Sequence, residues 1–242
     1  MGLGSFLSNC ATSLVSGIKS VASGISSALA TVGVNVGAAV TTLRTALEKW
    51  VPQIGMAIRV ISICVDIVAK ICGILRQNET VAEIGERSLQ AGEHGITLES
   101  CNNDYKAYLK RLREFDLDPH KAAMRPEDEK LLAGSEVLEK GIQALYPQMS
   151  TADAWLVLAR GASFFTPERL EAYAKMAKEQ NMPFGESLGK FFMPPSDGYV
   201  GKKIFDFVYA AEKAFNPSAT PNQIEKEFDK VEKECAAPEP GK

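Results

Sequence analysis

The amino-acid sequence predicts an all-α protein, in which a long amphipathic N-terminal helical hairpin is followed by a compact multi-helix domain. Three observations predict this fold class. Apolar residues recur at helical spacing through the first fifty residues, no run alternates for long enough to predict a strand, and later segments begin with helix-capping residues. The hairpin is expected in residues 1–78, a connecting helix and loop in 79–126, a soluble helical domain in 127–235, and a tail in 236–242.

The first predicted helix is built on an 11-residue repeat. Its apolar residues follow one another at intervals of three or four, with Cys10 completing the spacing. We call the following residues the apolar stripe: Leu3, Leu7, Leu14, Ile18, Val21, Ile25, Leu29, Val32, Val36, Val40, Leu43, Leu47 and Trp50. An 11-residue repeat has about 3.67 residues per turn, which predicts a stripe that runs straight or winds gently to the right.

The opposite face of this helix is uncharged. It carries Ser, Thr, Asn and Gly, and no charged residue lies between Lys19 and Arg44. Each glycine costs about 1 kcal/mol of helix propensity relative to alanine, so the helix needs a protein or lipid partner. An unbroken helix over 3–50 would be about 75 Å long, whereas the bilayer core is about 30 Å thick. We therefore expect this helix to lie on a surface, to line an oligomeric tube, or to break between Gly33 and Gly37.

The second predicted helix runs from Gln53 to Gln77, after a turn at Pro52. It is apolar nearly all round, apart from a polar stripe of Arg59, Asp66 and Lys70. Two interpretations remain open. The helix is either the buried centre of a soluble bundle with a polar edge, or a membrane or pore-wall helix whose charges face the interior.

The acidic second half of the chain predicts a series of shorter helices. A stretch over 81–115, interrupted by glycines, precedes a loop expected from Asp118 to Pro126. Further helices are predicted over 127–145, 151–160, 167–180, 185–192, 200–215 and 221–235. Thr166 and Thr220 each precede a proline, which predicts a helix cap followed by proline at the first helical position, and Gln223 completes a capping box.

No sequence motif predicts catalysis, so we expect no catalytic, cofactor-binding or metal-binding residues. Residues 185–189 match the GxSxG pattern of a nucleophile elbow, but that pattern needs a preceding strand and a later histidine, whereas His94 and His120 both come earlier. The five cysteines are irregularly spaced, and phosphate-binding, dinucleotide-binding and calcium-binding motifs are absent from the sequence. The chain is therefore not expected to be an enzyme or to take a small-molecule substrate.

The distribution of charge bears on the partners. Residues 1–78 carry a net charge of +4, and residues 79–242 carry −7. With no basic cluster, direct nucleic-acid binding is not predicted. The first residues do not match a signal peptide, so we expect synthesis in the cytoplasm and a final place at a membrane, or in a virion or secretion assembly. The expected partners are a lipid membrane, other copies of this chain in a homo-oligomer, or both.

These features favour a membrane-active, oligomeric component of a pore or translocation conduit. In organisation, with an apolar Gly/Ser/Ala-rich first part and a helical second part, the chain resembles phage internal ejection proteins and secretion-system translocators. The resemblance covers the architecture and no particular residues. Two alternatives remain: a soluble structural protein that assembles through a right-handed coiled coil or a ring, and an enzyme whose site has no known motif.

Overall fold

The computed structural model describes residues 22–51, 53–194 and 200–236, and within these ranges the fold is all-α, as the sequence predicts. The α-helices are α1 (22–31), α2 (Val36–Glu48), α3 (Ile54–Ile71), α4 (Val81–Glu93), α5 (Tyr105–Glu114), α6 (Pro119–Met124), α7 (Glu127–Leu145), α8 (Trp155–Arg160), α9 (Pro167–Gln180), α10 (Phe184–Phe192), α11 (Lys202–Phe215) and α12 (Pro221–Ala236). Short 3₁₀ helices lie at Glu99–Cys101, Pro147–Met149 and Ala152–Ala154.

A turn over residues 32–35 separates α1 from α2, so the unbroken first helix is wrong within the described residues. The turn overlaps the segment between Gly33 and Gly37, where a break was one of the expected outcomes. Asn35 has extended backbone geometry, and its side chain accepts a hydrogen bond from the backbone N–H of Ala38 (3.0 Å), which caps α2. The carbonyl of Gly33 accepts a hydrogen bond from the N–H of Glu99 (3.0 Å), which fixes the turn to a later part of the chain.

The first two helices of the described chain form their own hairpin. A Cβ atom placed on Gly24 would lie 2.5 Å from the Cβ of Ala46, so the two backbones approach closely where α1 passes α2. The helix after residue 52 was predicted to be the second arm of the hairpin. Instead, α3 packs mainly on α7, α8 and α9. The hairpin is therefore shorter than expected, and α3 belongs to the bundle.

Helix α7 is the centre of this bundle and contacts α2, α3 and α4. Its closest approach is to α4, where both helices have a glycine at the crossing. A Cβ atom on Gly134 would lie 1.9 Å from the carbonyl oxygen of Val81, and one on Gly85 would lie 1.9 Å from the carbonyl oxygen of Lys130. Only glycine allows two helices to cross at this distance.

The buried apolar side chains form one continuous cluster from Ile25 to Cys235, with members on both sides of residue 78. Its C-terminal part is aromatic, where rings pack edge to face with centroids 4.9–6.4 Å apart. These rings belong to Phe164, Phe165, Phe191, Phe192 and Phe228. The domain boundaries given by the sequence stay a prediction.

The predicted helix starts at Thr166 and Thr220 are confirmed. The Thr166 hydroxyl accepts from the N–H of Arg169, and Thr220 and Gln223 exchange hydrogen bonds as a capping box does. The loop predicted from Asp118 to Pro126 is wrong, because the Asp118 carboxylate accepts the N–H groups of His120 and Lys121 and so begins α6.

Candidate functional site

The apolar stripe is buried wherever the structure describes it. Leu3, Leu7, Leu14, Ile18 and Val21 lie outside the described residues. Every other member of the stripe is at most 7% exposed: Ile25, Leu29, Val32, Val36, Val40, Leu43, Leu47 and Trp50. The core of this chain, rather than solvent, therefore covers the described part of the stripe.

The outer surface of the α1–α2 hairpin is uncharged up to Arg44. Four threonine hydroxyls on this hairpin donate to the carbonyl oxygen four residues earlier, at 2.9–3.1 Å: those of Thr31, Thr41, Thr42 and Thr45. This bond satisfies a hydroxyl donor inside its own helix and occurs in membrane helices. The hairpin thus presents an outer face whose polar groups are small, neutral and largely self-satisfied.

The polar stripe of α3 lies at the edge of the bundle. The Asp66 carboxylate and the Lys70 ammonium form an ion pair at 2.8 Å, with about a quarter of each side chain exposed, and Arg59 is exposed. Half of the residues of α3 are buried against its neighbours, whereas Met56 near its start is exposed. The geometry is that of a bundle helix with a polar edge, which is one of the two interpretations that the sequence allowed.

Among the described residues, no helix is both long enough and apolar enough to cross a membrane.

Two buried carboxyl groups lie on α7, and sequence reasoning missed both. Glu139 accepts hydrogen bonds from the hydroxyl of Ser150 (2.6 Å), from the hydroxyl and N–H of Thr151 (2.6 and 3.0 Å), and from the amide of Gln143 (3.1 Å). Burial raises the pKa of Glu139, and these hydrogen bonds oppose the shift. The Thr151 hydroxyl in turn accepts from the indole N–H of Trp155 (2.8 Å).

Glu136 is buried without this support. Its side chain is fully buried, and neither carboxylate oxygen has a hydrogen-bond partner among the described residues. Desolvation alone raises the pKa of Glu136 well above its usual value. The packing around this carboxyl group therefore disfavours its charged form.

The helical repeat places Glu136 on the side of α7 that faces the hairpin. Lys140 and Gln143, four and seven residues later, share that side of the helix. Both line a groove together with Ile25 and Leu29 of α1, and α2 also packs on α7. The hairpin therefore lies beside a helix face that carries a buried carboxyl group with a raised pKa and with no hydrogen-bond partner among the described residues.

One sequence signal was sufficient to find these two residues. Apolar or small residues occupy all sides of α7 between Leu131 and Ile142, which leaves no wide polar face. Glutamates inside such a helix are expected to be buried. The acidic residues in the first turn of α7 interact favourably with the helix dipole and are not buried, so they gave the helix the composition of a solvent-exposed one.

The GxSxG match has a packing explanation. A Cβ atom on Gly185 would lie 2.6 Å from the carbonyl oxygen of Ser150, and one on Gly189 would lie 2.7 Å from that of Asp153. Ser187 is buried between them, and its hydroxyl has no partner among the described residues. The glycines therefore allow α10 to approach the chain at residues 150–153.

The described part of the chain contains no cluster of histidine, cysteine and carboxylate side chains that would hold a metal ion. His94 packs against Phe115, and His120 lies on α6.

No family model, curated protein or solved structure matches this chain. Function is therefore inferred from its own residues and geometry, of which the uncharged hairpin on α7 is the most distinctive part.

Proposed function

We propose that the protein is a membrane-active, oligomeric component of a pore or translocation conduit, and that its α1–α2 hairpin is stored on α7 until it moves to lipid or to other copies of the chain. The observation that carries this proposal is the absence of charge on the hairpin. From residue 22 to residue 43, its buried face is apolar and its exposed face bears only apolar, glycine, asparagine and hydroxyl residues.

The absence of charge matters because of the cost of insertion. A charged side chain at the centre of a bilayer costs about 2.5–3.5 kcal/mol on insertion scales. The outer face of a helix in water does not need to avoid charge, yet this face has none over twenty-two consecutive residues. Residues 22–43 of the hairpin therefore incur none of that penalty on transfer, and the charged residues of α2, Arg44 and Glu48, lie near its C-terminal end.

The apolar stripe supplies the driving force for a new partner. Burial of one large aliphatic side chain is worth about 1.5–3 kcal/mol, so a released hairpin would expose several such side chains at once. Only lipid or another apolar protein surface would compensate for that exposure. If release of the hairpin uncovers Glu136, hydration of its carboxyl group removes the desolvation that raises its pKa, and so lowers the cost of release.

The contact between α1 and α2 supports movement of the hairpin as a unit. The close approach at Gly24 and Ala46 is a small-residue contact, the type that joins helices in membranes without a hydrophobic driving force between them. The two described helices are 10 and 13 residues long, and at 1.5 Å per residue neither spans about 30 Å. Within the described residues, insertion at the bilayer interface fits better than a crossing.

A charge placed on the outer face of the hairpin tests this function. Ser27 and Thr41 are exposed, so Ser27→Asp and Thr41→Asp should change the free energy of unfolding by no more than about 0.5 kcal/mol. The full chain should float with phospholipid vesicles and release an enclosed dye, and the double variant should lose most of both activities. Asn222→Asp, an exposed change on α12, is the matched control and should act as the wild type does.

Two results would contradict the proposal. One is a full-length chain that neither floats with vesicles nor releases dye. The other is a double variant that does both as well as the Asn222→Asp control.

A soluble structural protein that assembles through a right-handed coiled coil or a ring is the second candidate. The observation in its favour is that the described stripe has apolar partners in the core of this chain without lipid, which leaves the exposed face of the hairpin as the assembly surface. A defined oligomer in light scattering, reduced in size by Thr41→Asp and indifferent to vesicles, would support this candidate over the membrane function.

A further inference from the structure

A groove with a volume of about 610 Å³ separates α1 from the segments after α7. One wall is α1, and the others come from α7, the 3₁₀ helix at Ala152–Ala154, α8 and α10. The apolar lining consists chiefly of Ile25, Leu29, Leu156, Val157 and Met193. A pocket of this size with a mostly apolar lining falls in the range of small-molecule sites.

The charged side chains at this groove differ in whether they are already paired within the protein. Glu186 and Lys190 are bound to each other at 2.6 Å, and Asp153 is close enough to act on the same ammonium group. Lys140 lines the groove from α7 and forms no ion pair with the described residues. Among the described residues of the groove, the Lys140 ammonium is therefore the cation that can pair with an anionic ligand.

Two uncharged polar side chains of the lining, Gln143 and Ser150, are already bound to α7, whereas Ser26 is exposed. The Gln143 amide and the Ser150 hydroxyl both donate to the buried carboxylate of Glu139. Apart from Lys140, the described groove has little to offer a ligand rich in hydrogen-bonding groups, such as a sugar or a nucleotide.

We infer that this groove binds a single-chain amphiphile with an anionic head, such as a fatty acid, with its chain against Ile25, Leu29 and Leu156 and its head on Lys140. Among the described residues, the groove combines an apolar floor with one cation that has no ion pair, Lys140, and this combination matches an alkyl chain that ends in a carboxylate. Each buried methylene contributes about 0.8 kcal/mol, so a chain of ordinary length binds without many polar contacts. The inference does not rest on the membrane function, because such an amphiphile can bind as a monomer from water.

Photolabelling tests the position of the ligand. The probe is palmitate with a diazirine at the end of its chain, added to the full-length protein below its micellar concentration. After irradiation and digestion, label should be concentrated in peptides that contain residues 22–30, 152–157 or 189–193. Unlabelled palmitate in excess should remove it. Label spread over the surface, or confined to other peptides, would overturn the inference.

Titration tests the role of Lys140. Lys140→Gln should weaken palmitate binding about tenfold, the effect expected for loss of one charge-assisted contact. It should leave the binding of palmityl alcohol, which has no anionic head, unchanged. Lys175→Gln is the matched control, because Lys175 is an exposed lysine paired with Glu171 on α9, away from the groove. Equal palmitate affinity in the two variants would overturn the assignment of the head group to Lys140.

Ala30→Trp provides a check that does not depend on charge. Ala30 is exposed and lines the groove, so an indole there should narrow it without entering the core. The variant should keep the helical signal of the wild type and lose most palmitate binding. Undiminished binding would place the ligand elsewhere and overturn the inference.

Discussion

At the scale of single residues, α7 holds two buried carboxyl groups in opposite surroundings. Four hydrogen bonds reach Glu139, whereas Glu136 has none among the described residues. Burial raises both pKa values, and only in Glu139 do hydrogen bonds to the carboxylate oppose the shift. Removal of the ionisable group should therefore have opposite effects at the two positions.

The stability of the protein should depend on the protonation of Glu136. Since its pKa is higher in the folded than in the unfolded chain, the folded form retains a proton that the unfolded form loses above about pH 4.3. The free energy of unfolding should therefore fall as the pH rises from about 4.3 to the folded-state pKa, by up to about 1.4 kcal/mol per pH unit. Glu136→Gln should remove this part of the decline and make the protein more stable than wild type at pH 7.5, as measured by urea unfolding.

Glu139→Gln serves as the contrasting variant. An amide in place of this carboxylate puts its NH2 group either against the donors of Ser150 and Gln143 or against those of Thr151, and an unsatisfied buried group costs about 1–3 kcal/mol. This variant should be less stable than wild type at pH 7.5. If Glu136→Gln destabilises the protein to the same degree, the Glu136 carboxyl group must have a hydrogen-bond partner, which would contradict this account.

At the scale of helices, the α4–α7 crossing depends on two glycines. An alanine at Gly134 gains about 1 kcal/mol of helix propensity, but its Cβ would lie 1.9 Å from the backbone oxygen of Val81. Backbone atoms of a packed helix cannot rotate away as a side chain does, so the helices must separate. We expect Gly134→Ala to lower the free energy of unfolding by about 3 kcal/mol.

Gly92→Ala is the matched control, because it makes the same change on α4 at a position with nothing within 4 Å of the new Cβ. It should raise the free energy of unfolding by up to about 1 kcal/mol. Chemical denaturation of both variants gives the comparison. A Gly134→Ala protein as stable as Gly92→Ala would mean that the two helices do not cross as closely as described.

The helices also show how far the sequence alone leads. Periodicity and capping residues predicted α7 and α9 with the observed bounds, because both signals are local. The stripe lies on the face of α1 and α2 that is buried, since a 3.6-residue period marks one side of a helix wherever it packs. Its expected role as a membrane or oligomer surface stays a prediction. The turn at residues 32–35 was one of three outcomes, because a glycine permits a break without requiring one.

The features that the sequence did not predict depend on contacts between residues that are far apart in the chain. The burial of Glu136 depends on the helices that pack around α7, which are far apart in sequence. The bond between Gly33 and Glu99 and the crossing of Gly85 with Gly134 are of the same kind. The short helix α6 was missed for a different reason. The hydrogen bonds by which Asp118 caps it are local, but a helix of six residues is too short to show a helical period in the sequence.

At the scale of the whole molecule, one apolar core includes the described part of the stripe, and residues 22–43 of the hairpin that carries it bear no charge. The stripe ends at Trp50, which is buried, has no hydrogen-bond partner for its indole N–H among the described residues, and lies under the guanidinium of Arg160. Tryptophan is enriched at membrane interfaces, so release of the hairpin would give this indole a favourable place in lipid. The other tryptophan, Trp155, is fully buried and hydrogen-bonded to Thr151.

The most direct test of hairpin release is the quenching of these two tryptophans by lipids that carry bromine on their acyl chains. Trp155→Phe leaves Trp50 as the reporter, and Trp50→Phe leaves Trp155, each in an otherwise unchanged chain whose helical content is checked by circular dichroism. If the hairpin leaves α7 for the bilayer, Trp50 should be strongly quenched when brominated vesicles are added, and Trp155 should keep its emission. Unquenched Trp50 emission, or equal quenching of both tryptophans, would contradict release of the stored hairpin.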